Sequence, residues 1–112
     1  MSKSISKDII RGNTEMIILS ILNQGDSYGY QVSKTVHSLS DGQYDLNEAT
    51  LYTVFRRLEK NQAIESYWGD ETKGSRRKYY KITDEGRQQL DANLIEWEYS
   101  KKIIDMIIKG RI

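Results

Sequence analysis

The sequence of 112 residues predicts a mainly α-helical chain with one small β-hairpin, an α+β fold, and three observations carry that expectation. Apolar residues recur at helical spacing in four separate stretches. Between the third and fourth of these, residues 64–68 and 78–83 are rich in β-forming side chains and flank a turn that holds Gly74. The last stretch, residues 84–109, carries an apolar seam longer than so small a body can cover.

The first helix is expected over residues 5–23. Ile10, Ile17, Ile18, Ile21 and Leu22 form one stripe, and Ile9, Met16 and Leu19 widen it beyond a single buried face. That surplus points to a second apolar partner, another subunit. Gly25 suits the left-handed position that closes a helix. Ser27 is placed to cap a second helix running to Leu39, with Tyr28, Val32, Val36 and Leu39 on one side. Residues 40–43 make a turn. Asn47 then caps a third helix, in which Leu51, Val54, Phe55 and Leu58 follow the i, i+3, i+4, i+7 pattern. Thr83 caps the fourth, with Asp84 and Glu85 in the first turn, where the helix dipole favours anions. Along it Leu90, Leu94, Trp97, Ile104 and Ile108 keep a four-three spacing, interrupted by Lys101. At about 1.5 Å per residue this helix reaches roughly 39 Å. Residues 1–83 are read as one unit and 84–112 as a dimerisation helix packed onto it. Ile9, Met16, Leu90, Leu94, Ile104 and Ile108 are expected at the subunit contact.

Composition narrows the function classes. The absence of cysteine excludes disulfides and thiolate metal sites. His37, the single histidine, would leave a metal to carboxylates alone and is read as solvated or capping. No apolar run approaches the ~20 residues that cross a bilayer, and residues 1–8 lack a signal peptide's apolar core. No Ser/His/Asp arrangement, phosphate-binding glycine loop or paired-carboxylate motif is present. The expectation is a cytoplasmic protein, not an enzyme, with no cofactor, metal or membrane partner.

Net charge is only +1, but it is unevenly placed. Residues 56–81 hold eight basic and four acidic side chains, whereas the rest of the chain holds nine basic and twelve acidic. With Leu51, Val54 and Phe55 turned inward, the third helix presents Thr50, Tyr52, Thr53 and Arg56 outward. The hairpin that follows carries Lys73, Arg76, Arg77 and Lys78 beside Tyr79 and Tyr80. A helix with a polar, basic outer face followed at once by a basic hairpin is the outline of a winged helix-turn-helix. In that arrangement the helix enters the major groove and the hairpin grips flanking phosphates. Double-stranded DNA is therefore the expected partner. Tyr52, Thr53 and Arg56 are candidates to read bases, and the hairpin cations to hold phosphates. Ordinary solvated surface is the competing reading for Tyr52 and Arg56. Because strand neighbours alternate in direction, one of the three hairpin cations at 76–78 could serve the hairpin itself.

The motifs resemble those of the PadR-like transcriptional regulators, and more closely the short, multidrug-binding subgroup. The resemblance rests on Tyr28-Gly29-Tyr30, Thr50-Leu51-Tyr52, Arg57-Leu58-Glu59-Lys60, the run from Gly74 to Tyr80, and Thr83-Asp84-Glu85-Gly86. Their order and spacing cover nearly the whole chain. The resemblance implies a homodimeric repressor on a two-fold operator, its last helix packed across the dimer axis, with Trp97 matching an aromatic residue at the dimer centre. Two positions depart from the pattern. Thr53 replaces a frequent proline, and Gln62 stands where a glycine usually ends the third helix, leaving Asn61 as the expected left-handed residue.

On that reading Trp97, with Leu94, Lys101 and Trp68, forms a slot for a planar aromatic ligand that relieves repression. Tryptophan on an apolar seam serves equally as core, and Trp68 equally as packing at the strand end. A protein-interaction module on the same scaffold and a DNA-binding regulator without a small-molecule ligand are the alternative functions.

Overall fold

The computed structural model describes residues 7–69 and 76–110. In chain order these form α1 (Lys7–Arg11), α2 (Thr14–Gln24), β1 (Ser27–Tyr28), α3 (Gly29–Leu39), α4 (Glu48–Lys60), β2 (Ile64–Trp68), β3 (Lys78–Ile82) and α5 (Asp84–Lys109). The mainly helical fold with a small sheet and a long last helix is as the sequence predicts.

The first expected helix is two helices. Asn13 donates its side-chain amide to Ile9 O at 2.8 Å, and Thr14 donates its hydroxyl to Ile10 O at 2.9 Å. Both take carbonyls that a continuous helix would need for its own ladder, beside the weak helix former Gly12. Gly25 closes α2 by donating its N–H to Leu22 O, in an extended rather than a left-handed conformation (φ 158°, ψ 156°).

Ser27 does not cap α3. It pairs with Tyr80 in a third strand, giving an antiparallel sheet of order β1-β3-β2 instead of a lone hairpin. A two-residue strand leaves no periodicity to read. The register places Tyr28 and Tyr67 on either side of Tyr79, on the face away from the helices. Ile64, Tyr80 and Ile82 point to the core.

The remaining caps form as predicted. Asn47 Oδ1 accepts from Ala49 N and Thr50 N at the start of α4, and Thr83 Oγ1 accepts from Gly86 N at the start of α5. At the end of α4, Ala63 N–H reaches Leu58 O and Gln62 N–H reaches Glu59 O, a Schellman closure. Its left-handed residue is Gln62 (φ 65°), not Asn61 (φ −85°). The hydrogen-bond pattern fixes which position must be left-handed, whatever residue tolerates it better. Gly86 is held by contact, because a Cβ there would lie 2.0 Å from Ala63 O. The last helix is thereby locked against the start of β2.

Phe55 sits at the centre of the core, stacked on Tyr80 at 3.9 Å. Around it are Ile18, Leu22, Val32, Leu51, Leu58 and Ile64. Two residues expected to serve a second subunit belong to this core. Leu19 is fully buried and Leu90 is 3% exposed, because the first turns of α5 pack against α2 within the chain. Leu39, expected inside, is 77% exposed.

Candidate nucleic-acid interface

Helix α4 buries Leu51, Val54, Phe55 and Leu58 and so turns Thr50, Thr53 and Arg56 to solvent. Thr53 donates its hydroxyl to Ala49 O at 2.9 Å, and Arg56 Nη2 lies 3.4 Å from Thr53 Oγ1. Arg56 therefore stands extended along the helix surface. Tyr52 divides its roles. Its ring packs edge-on against Phe55, and its hydroxyl lies so close to Gly29 that a Cβ there would be 2.5 Å away. The side chain ties α4 to the start of α3 while remaining 38% exposed.

The hairpin cations split between the two faces, as strand alternation requires. Arg77 lies over the Tyr28 ring at 4.9 Å, on the outer face. Arg76 lies over Trp68 at 5.2 Å and Lys78 over Tyr80 at 5.7 Å, on the side of α4. All three are exposed. Together with Tyr30 and Tyr52 they enclose a cleft of about 400 Å³ between the start of α3, α4 and the hairpin. Lys73, the remaining hairpin cation, lies outside the described residues. Tyr30, 72% exposed on this face, was not among the residues selected from the sequence. Its place in Tyr28-Gly29-Tyr30 was the available signal.

The outer sheet face is aromatic. Tyr79 stacks on Tyr67 at 5.6 Å and meets Tyr28 edge-on at 5.3 Å. Tyr67 donates its hydroxyl to Asp26 Oδ2 at 2.6 Å, and holding that proton beside a carboxylate pushes its pKa up to about 12. Burial raises Tyr80 and Tyr44 in the same direction.

Arg57, at the last turn of α4, is half-exposed and turned towards α2 rather than the cleft. Its Nε pairs with Glu15 of α2, whose other oxygen accepts from Gln89 of α5 at 3.0 Å. Helices α4, α2 and α5 thus meet at one carboxylate. Nearby, Trp97 is half-buried between two hollows. One, of about 370 Å³, is polar and includes Asn13, Glu15, Arg57 and Asn93. The other, of about 380 Å³, is apolar and runs along Met16, Ile17, Ile21, Leu39 and Leu94. Lys101 Nζ stands 5.2 Å over the Trp97 ring and pairs with Glu98. Trp68 lies in the cleft beside the hairpin and shares neither hollow with Trp97.

His37 Nδ1 contacts Asp45 Oδ1 at 2.5 Å, joining the end of α3 to the loop before α4. No group of three metal-ligating side chains occurs among the described residues. Nor is any described helix long and apolar enough to cross a membrane.

A helix presenting Arg56 beside a three-stranded sheet with a basic hairpin defines the winged-helix class of DNA-binding proteins. The chain belongs to the transcriptional regulator PadR-like family, whose signature matches residues 18–92. It is 50% identical to a transcriptional regulator from Clostridium thermocellum of known structure, with a TM-score of 0.86 over 94% of this chain and 99% of that one. A PadR family transcription regulator from Clostridium difficile is 34% identical, with a TM-score of 0.75 over 86% and 98%. An uncharacterized protein of Lysinibacillus sphaericus is 42% identical over 95% of this chain and 97% of its own length. The transcriptional regulator YqjI of Escherichia coli is 29% identical over 89% of this chain, which spans only 44% of YqjI. The protein is accordingly a transcriptional regulator of a DNA-binding family and not a member of an enzyme family.

Proposed function

We propose that the protein is a homodimeric repressor that occupies a two-fold operator and is released by a planar aromatic ligand at the dimer centre. The observation that carries the DNA part is the exposure of Thr50, Thr53 and Arg56 on α4 together with that of Arg76, Arg77 and Lys78, which line a cleft with Tyr52 of the same helix. Residues 1–83 act as the DNA-binding unit, and residues 84–112 as the dimerisation helix. The dimer is supported by Leu94, Ile104 and Ile108, which line α5 at 41%, 55% and 74% exposure, and by Ile9 at 54%. Met16 borders the same apolar hollow. Two recognition helices related by a two-fold axis would address half-sites roughly 34–36 Å apart, or a multiple of that.

The ligand part rests on Trp97 beside Leu94, between the two hollows. A ligand with unequal affinity for the DNA-competent and DNA-incompetent dimers shifts their populations. The Glu15 contacts to Arg57 and Gln89 give the last helix a direct connection to the recognition helix. One observation favours a regulator without such a ligand: Lys101 already covers the Trp97 ring.

Footprinting and titration on DNA from the protein's own upstream region test the reading. Arg56→Ala should cost about 1–3 kcal/mol on the operator and relax preference at one base position. Equal weakening on operator and random duplex would remove Arg56 from base reading. Trp97→Ala should abolish quenching by aromatic dyes while operator affinity persists. Normal dye binding by that variant, with loss of the dimer, would return Trp97 to packing.

A further inference from the structure

We propose that Tyr28 and Trp68 are positioning residues for the hairpin arginines, each holding one guanidinium on its ring face in the orientation that meets DNA phosphates. The inference rests on the DNA-binding reading of the cleft and adds to it two residues that need not touch DNA.

The argument starts from what a hairpin cation ordinarily lacks. A long arginine on a two-stranded arm has many rotamers and no neighbour to choose among them, so ordering it on a phosphate costs side-chain entropy. Here both arginines, just before β3 at the turn end of the hairpin, have a neighbour. The Arg77 guanidinium carbon sits 4.9 Å over Tyr28, and that of Arg76 sits 5.2 Å over Trp68. Both distances fall within the roughly 6 Å range in which a ring's negative face attracts a cation. A guanidinium that lies flat on a ring keeps its N–H edges available to a phosphate. Neither arginine has a carboxylate partner among the ion pairs of the described residues.

The Tyr28 ring is itself fixed from below. Tyr28 lies in β1, paired with Tyr79 in register and meeting its ring edge-on at 5.3 Å. Tyr79 is in turn stacked on Tyr67, whose hydroxyl is bonded to Asp26. Trp68 ends β2 opposite Lys78. This explains why a two-residue strand joins the sheet: it puts an aromatic platform under the hairpin at the point where α3 begins. Trp68, 56% exposed, has no core to fill, and the arginine above it accounts for the ring's placement.

Two measurements test the proposal. In the protein without DNA, the Arg77 δ-methylene protons should show an upfield ring-current shift in the NMR spectrum. That shift should vanish in Tyr28→Leu and persist in Tyr28→Phe. On random duplex DNA, Tyr28→Leu and Trp68→Leu should each weaken binding about two- to fivefold, the value of an exposed cation–ring contact. The slope of log K against log salt should stay unchanged, because no phosphate contact is removed. Tyr28→Phe and Trp68→Phe should restore affinity. Arg77→Ala, which does remove a contact, should weaken binding and flatten that slope by about one unit.

Wild-type affinity in both leucine variants alongside a weakened Arg77→Ala would overturn the positioning role and leave the DNA reading intact. An Arg77→Ala protein with normal affinity and slope would overturn the hairpin's grip on DNA, and the proposal with it. Equal loss in Tyr28→Phe and Tyr28→Leu would assign the effect to the hydroxyl and also overturn it. Trp68→Leu changes an exposed strand end, so the test stands even if Tyr28→Leu unfolds the sheet.

Discussion

Helices α4 and α5 both carry an apolar stripe at helical spacing, yet they spend it differently. In α4 all four stripe residues, Leu51, Val54, Phe55 and Leu58, are buried within the chain. In the 26 residues of α5 only Gly86 and Leu90 are buried, and Ile104, Ile107 and Ile108 lie at 55–74% exposure. The difference arises where α5 leaves the body. Gly86 presses its first turn onto Ala63 and Leu90 reaches the core, but the helix then runs past the start of α2. Periodicity states that a face will be covered and leaves open what covers it. The first stripe builds a monomer; the second, on our reading, builds a dimer.

The contrast breaks most visibly in α5. Ile104→Asp combined with Ile108→Asp should leave a folded chain that sediments as a monomer at micromolar concentration. Each lost isoleucine is worth about 1.5–3 kcal/mol of burial, and two-fold symmetry counts every loss twice. An intact dimer in that variant would mean the stripe has another use.

The corresponding truncation in α4 acts inside one chain. Leu58→Ala, at a fully buried site, should lower unfolding free energy by about 2–5 kcal/mol in denaturant titration. A loss below about 1 kcal/mol would show that the site collapses around the cavity.

A smaller effect sharpens the boundary of α4. Gln62 holds a left-handed conformation (φ 65°) that glycine adopts without steric cost, so Gln62→Gly should raise stability by about 0.5–1 kcal/mol. The Thr83 hydroxyl donates to the backbone carbonyl of Gln62 and not to its side chain, so that bond should survive the change. A destabilised variant would mean that the glutamine side chain itself matters.

The smallest effect concerns the aromatic face of the sheet, which neither stripe touches. The Tyr67 phenol is raised from 10.0 to about 12 by its bond to Asp26. That contribution is complete below pH 10 and is lost as pH rises from 10 to 12. Tyr44 and Tyr80 are raised as well, so the informative quantity is a difference. Unfolding midpoints of Tyr67→Phe should fall less steeply than the parent's across that interval. Identical slopes would place the bond outside the folding equilibrium.

Signals confined to a few neighbouring residues were legible in the sequence. Asn47 and Thr83 cap their helices because the acceptor and the N–H groups it satisfies lie within three residues. The α4 stripe and the outward placing of Thr50, Thr53 and Arg56 follow from one helical period. So do the alternating faces of Arg76, Arg77 and Lys78 from the strand period. Partners distant in sequence were not legible. Ser27 became a strand because Tyr80 was available to pair, and Leu19 and Leu90 entered the core because α2 and α5 meet. Arg57 pairs with Glu15, which is 42 residues away. Local hydrogen bonds and periodic burial are decided by short-range geometry, which any window of the sequence contains. Which apolar face meets which, and which charge finds a partner, depends on how the elements pack, and only the assembled tertiary structure sets those distances.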